Sequence, residues 1–285
     1  MAERGAAHIA AAALALLLLA CIAAPLLAAH LGLDPEAVDL FNRLAPPGGS
    51  NLLGTDELGR DLLLRLLYGG RVSLIVGLLG AGGAALIGVA VGLAAGFAGG
   101  RTDALLMRLT DAVIALPLLP LLIVLAAVDL GKLGLPDDAA ASVWRIVVLV
   151  ALFGWTTVAR LARAAVLSLK RREFVLAARA LGASPWRIAI RHLLPNALGP
   201  VAVAATLTVG HAILTESVLS FLGLGVQPPV ASWGNMLTGA QDLLFEAPRL
   251  AVLPGALIFA SVVAVNLAGD GLRRQLDPRS VLPRT

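Results

Sequence analysis

Uncharged apolar runs alternate with short charged segments along this chain, and the runs set the expected elements. Ile9 to Ala29 is free of charge for 21 residues, enough for one helix across a bilayer at about 1.5 Å per residue. Val72 to Gly100 is uncharged for 29 residues and carries Gly80, Ala84, Gly88, Gly92 and Gly96 at successive steps of four. Such a small-residue stripe lets a second helix approach closely in lipid, so packing is its expected role. Ala112 to Val128 predicts a third span, kinked by Pro117 and Pro120. A fourth is shorter, Ile146 to Ala159, with Arg145 and Arg160 expected to snorkel from its two ends. Leu193 to Thr215 and Leu250 to Gly269 complete six spans.

The charged segments between the runs carry their own signals. Residues 30–71 hold six acids and four arginines. Within them Thr55 is a plausible helix cap, followed by Leu58, Leu62 and Leu66 at helical spacing, which predicts an amphipathic helix lying along the membrane face. Arg101 to Asp111 reads as a short loop, and Asp129 to Ser142 as an acidic one. From Arg160 to Pro195 there are eight Lys or Arg residues against the single acid Glu173. There a helix is expected to run on from the fourth span to Leu181, and Gly182 supplies the left-handed stop. Ser184 then caps and Pro185 opens a new helix that Pro195 bends or stops. Small residues (Ala177, Ala178, Ala180, Gly182, Ala183) at the break allow another protein to come close. After Glu216 the stretch to Leu237 is uncharged but rich in Gly and Pro, and Pro228 and Pro229 forbid a regular helix, so part of it re-enters or caps the outer face.

Composition strengthens this picture. With 59% hydrophobic and 14% charged residues among 285, the chain is an all-α polytopic membrane protein rather than a soluble globule. Its division is a first helix with an external segment (residues 1–70) and a core (residues 71–285) bearing the cytoplasmic loop 160–195. The net charge of +4 needs no nucleic acid, because the basic residues cluster beside apolar spans. Placing both termini and the 160–195 loop in the cytoplasm puts about two thirds of the Lys and Arg inside, as the positive-inside rule requires. Leu18 to Cys21 also has the look of a lipoprotein processing site, but the apolar sequence continues past Cys21 and favours an uncleaved span. Cys21 itself, the one cysteine, reads as a small membrane residue.

Chemistry is sparse. Gly131-Lys132 is followed by Leu133, so no phosphate-binding GxxxxGK[ST] loop exists and ATP hydrolysis is not expected of this chain. The four histidines are scattered without metal-ligand spacing, and no metal site is expected. Glu216 lies some twenty residues after Asn196, roughly 30 Å along a helix and near the outer interface. Unpaired at the bilayer centre it would cost on the order of 3 kcal/mol, so it takes a partner or partial hydration. It is a candidate for the translocation path or gate, with structural hydrogen bonding as the alternative, and His211 and Asn266 share that choice. Asp270 with Arg273 and Arg274 reads as a helix-end ion pair, in a tail that also carries Arg279 and Arg284.

Three stretches resemble one known family, the permease subunits of ABC importers, and within it the dipeptide, oligopeptide and nickel branch. EFVLAARALGASPWRIAIRHLLPN matches the family's cytoplasmic signature at Ala177, Ala178, Gly182, Leu194 and Pro195, with Leu176 and His192 departing from it. GTDELGRD before the second span and TESVLSFLGLGVQPPVASWG after Glu216 match the branch. The resemblance implies a type I importer permease in a prokaryotic inner membrane. It also implies a second homologous permease, two cytoplasmic ATPase subunits that bind ATP and Mg, and an external solute-binding protein. Ala177, Ala178, Arg179, Gly182, Ala183, Ser184, Pro185 and Arg187 would then form the loop docking on the ATPase. Dipeptides or oligopeptides are the expected solute, with nickel or another small solute as the alternative. A secondary transporter would need midplane coupling charges that the spans lack, and a non-transporting assembly factor is the remaining reading.

Overall fold

The computed structural model describes residues 2–276 apart from positions 50, 130, 135 and 137, so Arg279 and Arg284 of the tail lie outside the described residues. Those described form an all-α architecture: α1 (Ala2–Ile22), α2 (Ala24–Leu31), α3 (Leu62–Ala98), α4 (Gly100–Ala115), α5 (Leu118–Ala126), α6 (Ala139–Leu169), α7 (Glu173–Ala180), α8 (Pro185–Ile188), α9 (Leu194–Phe221) and α10 (Arg249–Leu276). Four helices are long and apolar enough to cross a membrane, and six spans result when each of two bent pairs counts as one. The first pair, α1 with α2, bends by 49° where Pro25 enters the first turn of α2. The second, α4 with α5, bends by 80° at Leu116 and Pro117. Proline lacks the N–H that would continue the ladder and its ring clashes with the preceding turn, so both breaks have a local cause.

At the centre α3 lies along α6, with α9 and α10 packed beside them. The predicted glycine stripe makes the contact. A Cβ on Gly92 would stand 2.4 Å from the Ala159 carbonyl oxygen and 2.6 Å from the Ala162 Cβ, and one on Gly88 would stand 2.6 Å from the Val158 Cβ. The two backbones therefore approach as closely as glycine permits, and dispersion between them replaces the hydrophobic drive that lipid does not supply.

Several boundaries differ from expectation. No separate amphipathic helix starts at Thr55. The Thr55 hydroxyl instead accepts from the Ala45 N–H and donates to the Asn42 carbonyl, and Asp61 takes the cap by accepting from the Leu64 N–H at 2.8 Å. From there α3 runs unbroken for 37 residues, roughly 55 Å against a hydrocarbon core of about 30 Å, and it includes residues 70 and 71. The stretch from Arg101 to Asp111 is helix, not loop, because its acids are taken up by α6. Asp103 pairs with Arg163 and Asp111 with Arg160. Asp111 thus gives the half-exposed Arg160 a partner at its end of α6.

The basic segment 160–195 brings two more corrections. No helix runs on from α6 to Leu181. It stops at Leu169, where the Lys170 ammonium donates to the Phe97 carbonyl at the end of α3 (2.7 Å) and Val175 turns back into a cluster with Val166, Ile188, Leu193 and Ala197. No Gly or Pro marks that stop. Pro195, in turn, does not end the helix. A π turn over Ala189–Leu193 precedes it, and the wider i→i−5 bonding there accommodates the N–H that Pro195 lacks. Pro185 to Phe221 is in effect one rod.

The segment 222–248 is irregular, as Pro228 and Pro229 require, and it packs on α3. Trp233, fully buried, donates its indole N–H to the Leu66 carbonyl (2.9 Å) and fills the space left by Gly70 beside Cys21. Cys21 serves there as a small core residue. Residues 33–61 fold as a knot of turns organised by Asp56, whose carboxylate accepts from the Leu58 and Arg60 N–H groups and pairs with Arg60 (2.7 Å) and Arg65 (3.5 Å). Arg249 at the start of α10 ties this knot down through the Leu44 and Ala45 carbonyls. Burial pushes the Asp61 carboxyl upward, against the two backbone N–H groups that favour its charged form.

Candidate functional site

Two constellations carry chemistry, one at each end of the Pro185 to Phe221 rod. At the Pro185 end α7 closes in a complete Schellman arrangement. The Ala183 N–H donates to the Ala178 carbonyl and the Gly182 N–H to the Arg179 carbonyl, both at 3.0 Å, with Gly182 at φ +78°. Ser184 caps α8 by accepting from the Arg187 N–H at 3.3 Å, and Pro185 occupies its first turn. The break, the stop and the restart thus lie at the residues where the pattern places them.

This structure gathers Ala177, Ala178, Arg179, Gly182, Ala183, Ser184, Pro185 and Arg187 into one protruding element. Val175 and Ile188 anchor it, with Ala178 and Ala183 packed against the same cluster. Its outer side holds two residues that the sequence reading passed over, Leu181 (89% exposed) and Trp186 (75% exposed). Phe41 and Phe245 elsewhere in the chain are at least as exposed, so exposure alone does not single these two out; their place beside the break does. The signal was available, since each is a bulky apolar residue within three positions of the break. A Cβ on Gly182 would meet nothing within 4 Å.

At the other end Glu216 is fully buried. Its carboxylate accepts from the Ser73 hydroxyl on α3 (2.8 Å) and from the Ser220 hydroxyl one turn further along α9 (2.7 Å). Those hydroxyls in turn accept from backbone N–H groups of the 222–248 segment, Ser73 from Trp233 (3.2 Å) and Ser220 from Val226 (3.0 Å). Two relays therefore run from the irregular segment through a serine to one carboxyl. Gly225 and Gly234 make room, since a Cβ on either would collide with Ser220 or Ser217. The motif from Thr215 to Gly234 is the sequence of this knot.

The three path candidates do not converge. His211 is five residues from Glu216 on α9 and lies on the exposed side, while Asn266 on α10 faces Gly210. The ion pairs Asp103–Arg163 (2.7 Å between Oδ2 and Nη2) and Asp111–Arg160 (2.6 Å) were visible as charges but not as pairs, because their partners are 60 and 49 residues apart. Among the described residues no three His, Cys, Asp or Glu side chains are grouped to hold a metal ion.

Comparison with known proteins places these features in a family. Residues 88–281 match the model described as "binding-protein-dependent transport system inner membrane component". The oligopeptide transport system permease protein OppC of Bacillus subtilis (strain 168) is 39% identical over 264 residues, covering 93% of this chain and 82% of the relative. The probable D,D-dipeptide transport system permease protein DdpC of Escherichia coli (strain K12) is 39% identical over 265 residues, covering 93% and 85%. The di/tripeptide transport system permease protein DppC of Pseudomonas aeruginosa (strain UCBPP-PA14) is 45% identical over 228 residues, covering 80% and 72%.

Proposed function

This chain belongs to the family of binding-protein-dependent transport system inner membrane components, and on that premise we propose that it is one permease subunit of an ATP-driven importer of dipeptides or oligopeptides. The peptide assignment is carried by the relatives just named, similar over most of the chain's length and named for oligopeptide, D,D-dipeptide and di/tripeptide transport. In this reading a second permease completes the pathway, two cytoplasmic ATPase subunits bind ATP and Mg, and an external binding protein delivers the solute. The Ala177 to Arg187 element is the contact with an ATPase, which its protrusion and the exposed Leu181 and Trp186 support. Nucleotide state can move this chain only through a contact whose free energy differs between the states, and this element is built for one.

Purification from native membranes in mild detergent is the test. An ATPase and a second permease are expected to accompany the chain, and inverted or reconstituted vesicles are expected to move labelled dipeptide only with ATP. Recovery without any nucleotide-binding protein, or uptake driven by an ion gradient alone, would refute the reading. Orientation has its own test. A reporter active only outside the cytoplasm is expected to be active when fused after Gly49 or Asp138 and silent after Lys170, and activity at Lys170 would reverse the topology.

A further inference from the structure

We propose that a cavity between the start of α3 and the 222–248 segment is a subsite for the C-terminal carboxylate of a short peptide, held by Arg65. The inference rests on the peptide-importer reading above. Arg65, Tyr68 and Val72 line the cavity from α3, residues 229–231 line it from the irregular segment, and Pro35 and the exposed Glu36 belong to the knot of turns. Its volume is about 120 Å³. In the topology proposed above this is the outer end of the molecule.

The charge of Arg65 is the starting point. The residue is 6% exposed, yet among the described residues its guanidinium finds no hydrogen-bond acceptor. Its one ion-pair neighbour, Asp56, stands 3.5 Å from Nε, longer than a hydrogen bond of good geometry. Asp56 is already engaged, since Oδ1 accepts from the Leu58 and Arg60 N–H groups and Oδ2 from the Arg60 guanidinium at 2.7 Å. Two guanidiniums thus share one buried carboxylate, and Arg60 has the better part of it. A buried cation without its hydrogen bonds is costly, so an acceptor in the cavity stabilises the fold as it binds. The Tyr68 hydroxyl, lining the same cavity, also has no hydrogen-bond partner among the described residues.

Size and lining then select the ligand. The volume exceeds what a single water needs and falls short of the roughly 300 Å³ at which sites for whole drug-sized ligands begin, so the cavity takes the end of a molecule. A carboxylate suits that end, because its two oxygens accept in one plane from the two Nη groups of a guanidinium. Val72, Pro229, Val230 and Ala231 offer an apolar wall to the carbon that bears it, which a hydrated inorganic anion would not use. Glu36 disfavours polyanions and can accept from an N–H or amino group further along a peptide. The other space that Arg65 borders, beside Asp56 and Glu57, measures about 30 Å³; acids edge it, so it admits water but no carboxylate.

Protection of a single cysteine tests this. In the purified complex in nanodiscs, Pro35→Cys would be labelled with a maleimide, with Leu52→Cys, in the same knot but not lining the cavity, as the control; the native Cys21 is fully buried and does not compete. Millimolar dialanine is expected to slow labelling of Pro35→Cys and to leave Leu52→Cys unchanged. Its C-terminal amide is expected to protect about tenfold more weakly or worse, the loss of one charge-assisted hydrogen bond. Arg65→Lys keeps the charge but not the paired Nη groups and is expected to weaken protection, while Ala231→Leu fills the cavity and is expected to remove it. Dialanine and its amide are compared with Arg65 in place, so that comparison decides even where a variant fails to fold. Equal protection by the amide or by inorganic phosphate would overturn the proposal. A complex that moves no dipeptide but shows carboxylate-dependent protection keeps the carboxylate site and loses the peptide-importer reading. Normal dipeptide uptake without protection of Pro35→Cys does the reverse.

Discussion

Gly182→Val is expected to abolish ATP-driven uptake while the chain remains in the membrane at near wild-type abundance. Gly182 holds φ at +78°, a conformation that costs an L residue about 1–2 kcal/mol and a β-branched one more. Nothing crowds the position, so the substitution does not disturb the packed base of Val175, Ile188 and Leu193. Relaxing the strain means rotating the backbone away from the left-handed region, which breaks the Ala183 to Ala178 hydrogen bond and swings α8, with Trp186, relative to α7. A change of about 1.4 kcal/mol at a docking contact is already tenfold in affinity. Gly182→Asn is the informative companion, because Asn tolerates the same backbone and is expected to retain uptake. Single cysteines from Ala177 to Arg187 are expected to crosslink to the ATPase. Normal uptake by Gly182→Val, together with crosslinks confined to α4, would show that coupling lies elsewhere.

Glu216→Ala is expected to remove most of the folded protein rather than alter transport by an intact complex. Without the carboxyl, the hydroxyls of Ser73 and Ser220 lose their acceptor inside a closed knot, at about 1–3 kcal/mol for each group left unsatisfied. That compares with a total stability of about 5–15 kcal/mol for a typical domain. The same loss loosens the hold on Val226 and Trp233, so the 222–248 segment is expected to detach from α3 and become open to protease. Glu216→Gln keeps one acceptor and is expected to fall between wild type and Glu216→Ala in abundance. Wild-type abundance of Glu216→Gln with altered uptake would assign the residue to the path or gate instead.

Much of this protein was legible one residue at a time. Six apolar stretches, the glycine stripe of α3, the Gly182 stop and the Ser184-Pro185 restart all depend on local properties: hydrophobicity, the freedom of glycine at positive φ, and the fixed φ of proline. The permease reading followed from those residues and from the motifs around them. Other boundaries depended on groups far away in the chain. Thr55 failed as a cap because Ala45 and Asn42 claim its hydroxyl, and α4 is helical where a loop was expected because Arg160 and Arg163 neutralise its acids. The stop at Leu169 depends on Lys170 reaching the end of α3.

The candidate site divides in the same way. The Ala177 to Arg187 element is a run of eleven consecutive positions whose geometry follows from local turn chemistry, so its sequence determined its shape. The surroundings of Glu216 were decided by tertiary structure, since Ser73 stands 143 residues away and no local pattern announces that contact. Likewise, only the packed helices showed that His211 and Glu216, five residues apart on one helix, face different surroundings. A helix's sequence determines the angle between its side chains, but which angle is buried is decided by the helices that pack around it.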